Sequence, residues 1–215
     1  MQITTVKPTR SSNTLILVFN NGSILPFSAD DYVKIGIKKY SELSADLLNQ
    51  IYQKSAEHQL WEYGLRQLAM LSQPEKIISQ KLKNYSKKIF LSANIKSDTV
   101  DIPSIIVEII SRLKDRGLIS NSDYAVAYAK KNLNKSKRQI AAELNQKGVS
   151  RPDQNQAISD LDDKDKIINL LKKKKYTDHN FSDWKEKNKI IASLYRKGFA
   201  LSDIKNVIDD LIRNR

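Results

Sequence analysis

The residues of this sequence that could do chemistry are mainly cations in its second half. Lysine and arginine side chains pair with phosphate oxygens, so these residues could bind a polyanion. The chain has 37 Lys and Arg against 24 Asp and Glu, and a formal net charge of +13. Such an imbalance attracts nucleic acid in particular. The candidate contact residues are Lys130, Lys131, Lys135, Lys137, Arg138, Lys147, Lys172, Lys173, Lys174, Lys175, Lys185, Lys187, Lys189, Arg196 and Lys197.

The residues that most catalytic and metal sites need are scarce. Cysteine is absent, and the two histidines, His58 and His179, are far apart, so we expect an ordinary surface role for both. The acidic stretch at 160–165 lacks the spacing of a calcium loop and indicates helix capping. No Gly-rich phosphate loop or Ser-His-Asp order is present. We assign no catalytic residue, metal or cofactor, and predict that the protein is not an enzyme.

Helices must position the cations, because one helical pattern occurs twice in this region. Residues 187–210 repeat residues 137–160 at a constant offset of fifty positions. In both copies a Lys-Gly pair, ending at Gly148 or Gly198, has the composition of a left-handed helix end. Lys137 and Lys187 are equivalent, which predicts cations on corresponding surfaces of stacked units.

The first half of the chain begins with strand patterns. Residues 2–6, 14–19 and 23–27 are rich in β-branched and aromatic residues, and the turn residues between the last two indicate a hairpin. A short helix should run from Ala29 toward Gly36.

A long helix should follow, from Ser44 to the residues before Pro74. Its aromatic residues, including Trp61, lie within an apolar stripe. We interpret Trp61, Tyr63 and Tyr52 as core packing rather than as a platform for base stacking.

The predicted fold is mostly α, with tandem three-helix repeats forming an elongated, curved molecule behind a small N-terminal antiparallel β sheet. Asn121 or Ser122 should cap the first helix of the second repeat and Ser136 its second helix. The third repeat should contain three helices, at 164–175, 182–197 and 202–213. The expected domains are residues 1–43, 44–119 with a loop at 84–101, 120–162, and 163–215.

The sequence resembles the RecX family almost from end to end. The resemblance rests on short motifs whose order is specific, at 63–75, 113–128, 140–149 and 194–199. This chain departs from the family in having Ser120 and Asn121 where an acid usually follows the Gly-Leu turn. It also has Asn84-Tyr85 in place of a basic-Gly ending in the first unit.

The resemblance implies a regulator that binds the RecA nucleoprotein filament and inhibits RecA ATPase, strand exchange and co-protease activity. Its basic surface would contact single- or double-stranded DNA in that filament. We expect a cytoplasmic monomer with no membrane contact, since no apolar run approaches the length of a span. The alternative is a helical-repeat DNA-binding protein in which Ala142-Glu143-Leu144 or Ala192-Ser193-Leu194 enters a major groove.

Overall fold

The computed structural model describes residues 1–10, 13–93, 100–176 and 178–213, with side chains except those of residues 90–93, 178 and 179. Within this part of the chain are three strands and eleven helices. They form two compact units, Met1–Ile119 and Ser120–Arg215. The mostly α fold with a small antiparallel sheet at the N-terminus is the one that the sequence predicts.

The sheet has three antiparallel strands in the order of the chain. They are β1 (Ile3–Pro8), β2 (Thr14–Phe19) and β3 (Ile24–Ser28). Leu17 pairs with Leu25 across β2 and β3, and both side chains are buried. Alternation along each strand therefore gives the sheet one apolar face, which packs against Ile51 of the following helical region.

Two helices follow the sheet within the first unit. They are α1 (Ala29–Ile35), which ends at the left-handed Gly36, and α2 (Ala45–Met70), capped by Ser44. The aromatic side chain of Tyr63 stacks on Tyr85 with ring centroids 4.1 Å apart, and the guanidinium carbon of Arg112 lies 4.3 Å from the Trp61 ring. The prediction that the α2 aromatic residues serve packing is confirmed.

The predicted loop at 84–101 is wrong in its first part. The helix α3 (Glu75–Ala93) continues through residues 84–93, and α4 (Ile102–Asp115) completes the unit. Ile78, Leu82, Tyr85 and Ile89 follow helical spacing on one face, so the apolar face of α3 does not stop at residue 84. Residues 94–99 of the predicted loop lie outside the described residues.

The second unit is built from seven helices among the described residues. They are α5 (Asn121–Lys131), α6 (Lys137–Gln146), α7 (Arg151–Ile158), α8 (Asp163–Lys173), α9 (Asp178–Ser182), α10 (Trp184–Arg196) and α11 (Leu201–Arg213). One apolar core joins α5 to α7, and another joins α8 to α11.

Two details of the second unit differ from the sequence predictions. Ser120 caps α5, because its backbone is extended and its hydroxyl accepts the Asp123 N–H at 3.2 Å, whereas Asn121 and Ser122 already belong to the helix. The short helix α9 was not predicted; its Phe181 is buried in the core beside α10. The predicted capping of α6 by Ser136 is confirmed.

Four helices end in the same hydrogen-bonding pattern. After α4, α6, α8 and α10 a residue with positive φ turns the chain, and the next N–H donates to the carbonyl of a buried leucine five positions back. Glycine is the left-handed residue at 117, 148 and 198, but Lys175 holds that position after α8, at φ 55°. The next apolar residue returns to the core, as Val149 and Phe199 do.

His58 does not have the surface role that was expected of it. It lies on α2 and is buried against the sheet, where its Nε2 lies 2.9 Å from Thr14 Oγ1. Burial lowers the pKa of His58, so the neutral ring is favoured. The side chain of His179 lies outside the described residues.

Replacing Gly198 with alanine is expected to lower the free energy of unfolding by about 2–5 kcal/mol. About 1–2 kcal/mol comes from a Cβ at positive φ, and the rest from crowding. The new Cβ would lie 2.7 Å from the buried Ser136 Oγ. Gly117→Ala is the control, because Gly117 has φ 68° but no neighbouring atom within 4 Å of the position that a Cβ would take, and about 1–2 kcal/mol is expected. Urea unfolding would measure both, and equal losses would contradict the close approach at Gly198.

Replacing Lys175 with glycine is expected to raise the melting temperature of the second unit. Glycine relieves the left-handed strain at a gain of about 0.5–1 kcal/mol after its own entropy cost. Lys174→Gly is the matched control, since Lys174 has φ −85° and its replacement removes the same charge. The control is expected to lower the melting temperature, and a stabilisation by both variants would point to charge relief instead.

Candidate nucleic-acid interface

The helix α10 carries many of the candidate cations and has a well-defined buried face. Its Asp183 cap accepts the Lys185 N–H at 2.8 Å, and Ile190 and Leu194 are buried in the core. On the other side of the helix, Lys185, Lys189 and Arg196 are exposed.

A buried hydroxyl joins the beginning of α6 to the end of α10. Ser136 is fully buried; its Oγ accepts the Gln139 N–H at 3.1 Å and donates to the Lys197 carbonyl at 2.8 Å. One side chain thus satisfies a donor at a helix N-terminus and an acceptor at a helix C-terminus. The contact brings Arg138, at the start of α6, close to the end of α10.

A second buried contact fixes the same end of α6 to α8. The Lys137 N–H donates to both carboxylate oxygens of Asp163, at 3.0 and 3.1 Å. The Lys166 ammonium lies 3.3 Å from Asp163 Oδ1 and donates to the Lys135 carbonyl at 2.9 Å. Because both charged groups are buried and hydrogen-bonded, this contact holds the helix ends in one arrangement.

These contacts create a groove between α6 and the end of α10, which we call the α6–α10 groove. It has a volume of about 590 Å³, and none of its described lining residues is acidic. Three predicted contact residues, Arg138, Arg196 and Lys197, lie on it with exposed side chains. The other lining residues are Gln139, Ala142, Tyr195 and Gly198. The cations can bind phosphate, and the aromatic ring can contact a planar group.

Two other predicted cations gather around Tyr128. The ammonium groups of Lys135 and Lys147 each lie 5.5 Å from the Tyr128 ring centroid. Lys135 also donates to Glu143 Oε2 at 2.7 Å, and the Tyr128 hydroxyl donates to the same oxygen at 2.5 Å. Lys135 is therefore engaged within the protein.

The pKa directions in this cluster agree with a structural ion pair. Partial burial opposes ionisation of Glu143, but hydrogen bonds from Lys135, Tyr128 and Gln139 outweigh it and lower the pKa. The hydrogen bond to Glu143 raises the pKa of Lys135. Burial, followed by the bond to Glu143, raises the pKa of Tyr128. The lysine and glutamate are thus charged at neutral pH while the tyrosine is neutral.

The equivalent lysines of the repeat contact corresponding positions. Lys137 Nζ lies 3.4 Å from the Ser159 carbonyl, and Lys187 Nζ lies 3.4 Å from Asp209 Oδ1. Each contact joins residues 22 positions apart, but the first partner is a main-chain carbonyl and the second is a side-chain carboxylate. The Asp209 ion pair occupies the Lys187 ammonium.

The remaining predicted cations are exposed, but the structure does not gather them into one site. They lie at the ends of α5 and α8 and along α10. They are Lys130, Lys131, Lys172, Lys173, Lys174, Lys175, Lys185 and Lys189.

Two aromatic residues on α10 were missed by the sequence analysis. The Trp184 side chain is 76% exposed and that of Tyr195 is 55% exposed. Their separation of eleven positions places them on one side of a helix, away from Ile190 and Leu194. That spacing against the buried pattern is the signal that could have found them.

The two segments proposed as base-reading elements offer few free side chains. Leu144 and Leu194 are buried, and Glu143 is bound to Tyr128 and Lys135. Ala142 and Ala192 are exposed but have no hydrogen-bonding side chain.

In the part of the chain that the structure describes, no helix has the length and apolar character needed to cross a bilayer.

The last part of the chain is similar to a known domain family. Residues 162–208 match the family model for the third three-helix domain of RecX. A solved structure, "Crystal structure of regulatory protein RecX", superposes with a TM-score of 0.69 at 17% identity, covering 97% of this chain and 98% of that one. The structure of RecX from Lactobacillus salivarius gives 0.58 at 24% identity, covering 73% and 96%. These likenesses establish the fold.

Curated proteins that are similar to this chain in sequence are named regulatory protein RecX. A regulatory protein RecX from Mycobacterium sp. (strain KMS) is 29% identical over 114 residues, and the match spans 48% of this chain and only 62% of the relative. One from Streptococcus pneumoniae serotype 19F (strain G54) is 24% identical over 217 residues, 98% of this chain and 77% of the relative. Residues 162–208 thus match a RecX domain, and the chain as a whole is similar to proteins named regulatory protein RecX.

Proposed function

We propose that this protein binds the RecA–DNA filament and inhibits RecA ATPase, strand exchange and co-protease activity without being an enzyme itself. The match of residues 162–208 to the third three-helix domain of RecX carries the proposal. Its relatives bear the name of a regulatory protein, which agrees with binding rather than catalysis. Under this proposal the protein acts as a monomer in the cytoplasm.

The exposed cations of the α6–α10 groove favour a binding partner that contains DNA. Arg138, Arg196 and Lys197 have exposed side chains on the α6–α10 groove. None of the three belongs to an ion pair found within the described residues, so each can approach a phosphate without breaking one. Each phosphate contact releases counterions from the DNA. Contacts to RecA and to DNA made by the same chain would reinforce each other through effective concentration.

A second candidate function is direct action on DNA without RecA. The same basic groove favours it, since phosphate contacts alone give binding that is independent of sequence. Reading of base edges by α6 or α10 is not favoured, because Leu144, Leu194 and Glu143 face or bind the protein itself. The two candidates therefore differ in whether RecA is needed.

The protein is expected to inhibit RecA ATPase on single-stranded DNA at concentrations well below those that coat the DNA. Filament binding explains such inhibition, because one bound molecule acts on several RecA protomers. The measurement is ATP turnover during a titration, beside DNA binding without RecA. Inhibition that only follows DNA coating would support the second candidate, and absence of any effect on RecA would reject the first.

Reversing three groove charges, Arg138→Glu, Arg196→Glu and Lys197→Glu, is expected to weaken inhibition at least about tenfold at physiological salt. If each cation meets a phosphate, the slope of log affinity against log salt also falls by about 2–3. The matched control reverses the exposed α3 residues Lys83, Lys87 and Lys88, which changes the net charge equally.

Circular dichroism would establish that both triple variants are folded. A loss of inhibition by the groove variant alone supports the α6–α10 groove. Equal losses would mean that total charge, rather than this groove, determines the effect.

A further inference from the structure

The exposed side of α10 carries two large aromatic side chains that do not anchor the helix to the protein core. Trp184 and Tyr195 expose 76% and 55% of their surface, although the helix is already anchored by Ile190 and Leu194. Trp184 is the first residue of α10, and its carbonyl accepts a hydrogen bond from the Asn188 side-chain amide at 3.0 Å. Neither side chain belongs to the apolar core that anchors the helix.

Cations accompany the two aromatic residues along the helix. At about 100° per residue, Lys185, Lys189 and Arg196 lie together on one flank of the line from Trp184 to Tyr195. All three are exposed, and none takes part in the ion pairs found within the described residues. Arg196 is partly ordered, since its Nε donates to the Ala192 carbonyl at 3.3 Å.

We propose that this face of α10 binds single-stranded nucleic acid, with unpaired bases stacked on Trp184 and Tyr195. The α10 face is defined by Trp184, Lys185, Lys189, Tyr195 and Arg196. The aromatic rings supply surfaces for base stacking, which tolerates any sequence, and the flanking cations meet the phosphates. Eleven residues of helix span about 16 Å, or about five nucleotides at a stacked rise of about 3.4 Å.

Single strands fit this face better than other polyanionic partners. In a duplex the faces of the bases are covered by their neighbours, so exposed rings on a convex helix have nothing to stack on. A membrane surface would need the apolar face of α10, which is buried in the protein core. A protein partner can use Trp, Tyr and Arg as anchors, but the row of unpaired cations favours phosphate.

The inference deepens the proposed function and rests on it for the presence of single-stranded DNA beside the protein. It also states something that the function alone does not require: this helix distinguishes single strands from duplexes through its aromatic residues. Its test can therefore use the full chain without RecA. RecA inhibition is then measured separately, so that failure of one idea is distinguishable from failure of the other.

The experiment measures binding of a labelled oligothymidylate and of a hairpin duplex by fluorescence anisotropy. Trp184→Ala and Tyr195→Ala are each expected to weaken oligothymidylate binding by about 5- to 150-fold, the range for loss of one stacked base. Duplex binding should change less than about twofold, since it depends on the cations. Val107→Ala is the control, because Val107 is also a highly exposed apolar residue, on α4.

A spectroscopic measurement separates stacking from a structural effect. Binding of oligothymidylate should quench tryptophan emission in the wild type, and Trp184→Phe should remove most of that quenching while retaining affinity. The inference is overturned if Trp184→Ala binds oligothymidylate like the wild type, or weakens single-strand and duplex binding equally. It is also overturned if the wild type does not bind oligothymidylate at low salt, or if the variant loses only binding to RecA free of DNA.

Discussion

The structure depends on a left-handed residue that ends helices and returns the chain to the core. At Gly117, Gly148, Lys175 and Gly198 the backbone takes a positive φ, and the following N–H reaches back to the carbonyl of a buried leucine. The next apolar residue can then pack beside that leucine, as Phe199 does beside Leu194. Without this left-handed turn, the helix would continue into solvent and the next helix could not pack against it.

The same backbone feature builds the candidate interface. The absence of a Cβ at Gly198 allows Ser136 to approach, and the Ser136 hydroxyl then donates to the Lys197 carbonyl. This contact aligns the start of α6 with the end of α10, so Arg138 and Lys197 lie on one groove. The cations are therefore arranged by the polar contacts of the scaffold, and the scaffold residues themselves need not touch DNA.

Sequence patterns predict what local chemistry determines. The hairpin, the long α2, the Ser136 cap and the glycine helix ends follow from turn propensity, periodicity and capping, which act over a few residues. Contacts distant in sequence were not predictable. The burial of His58 against Thr14 and the core position of Phe181 in α9 both depend on neighbours from other elements. Likewise, fifteen basic residues indicated a polyanion, but only three were brought together on the α6–α10 groove. The continuation of α3 past residue 84 is different, because the helical spacing of Tyr85 and Ile89 is local.

The buried contacts at the start of α6 have a consequence for how this region opens. In many repeat proteins each repeat contributes a nearly independent share of stability. Here hydrogen bonds of Ser136, Asp163 and Lys166 join the helix set α5–α7 to the set α8–α11. Separating the two sets would leave several buried polar groups unsatisfied, at a cost of about 1–3 kcal/mol each. The two helix sets should therefore exchange their protected amide hydrogens as one cooperative unit. A ligand that holds α10 would slow exchange in α6 as well, and so the effect of binding would be transmitted across both sets.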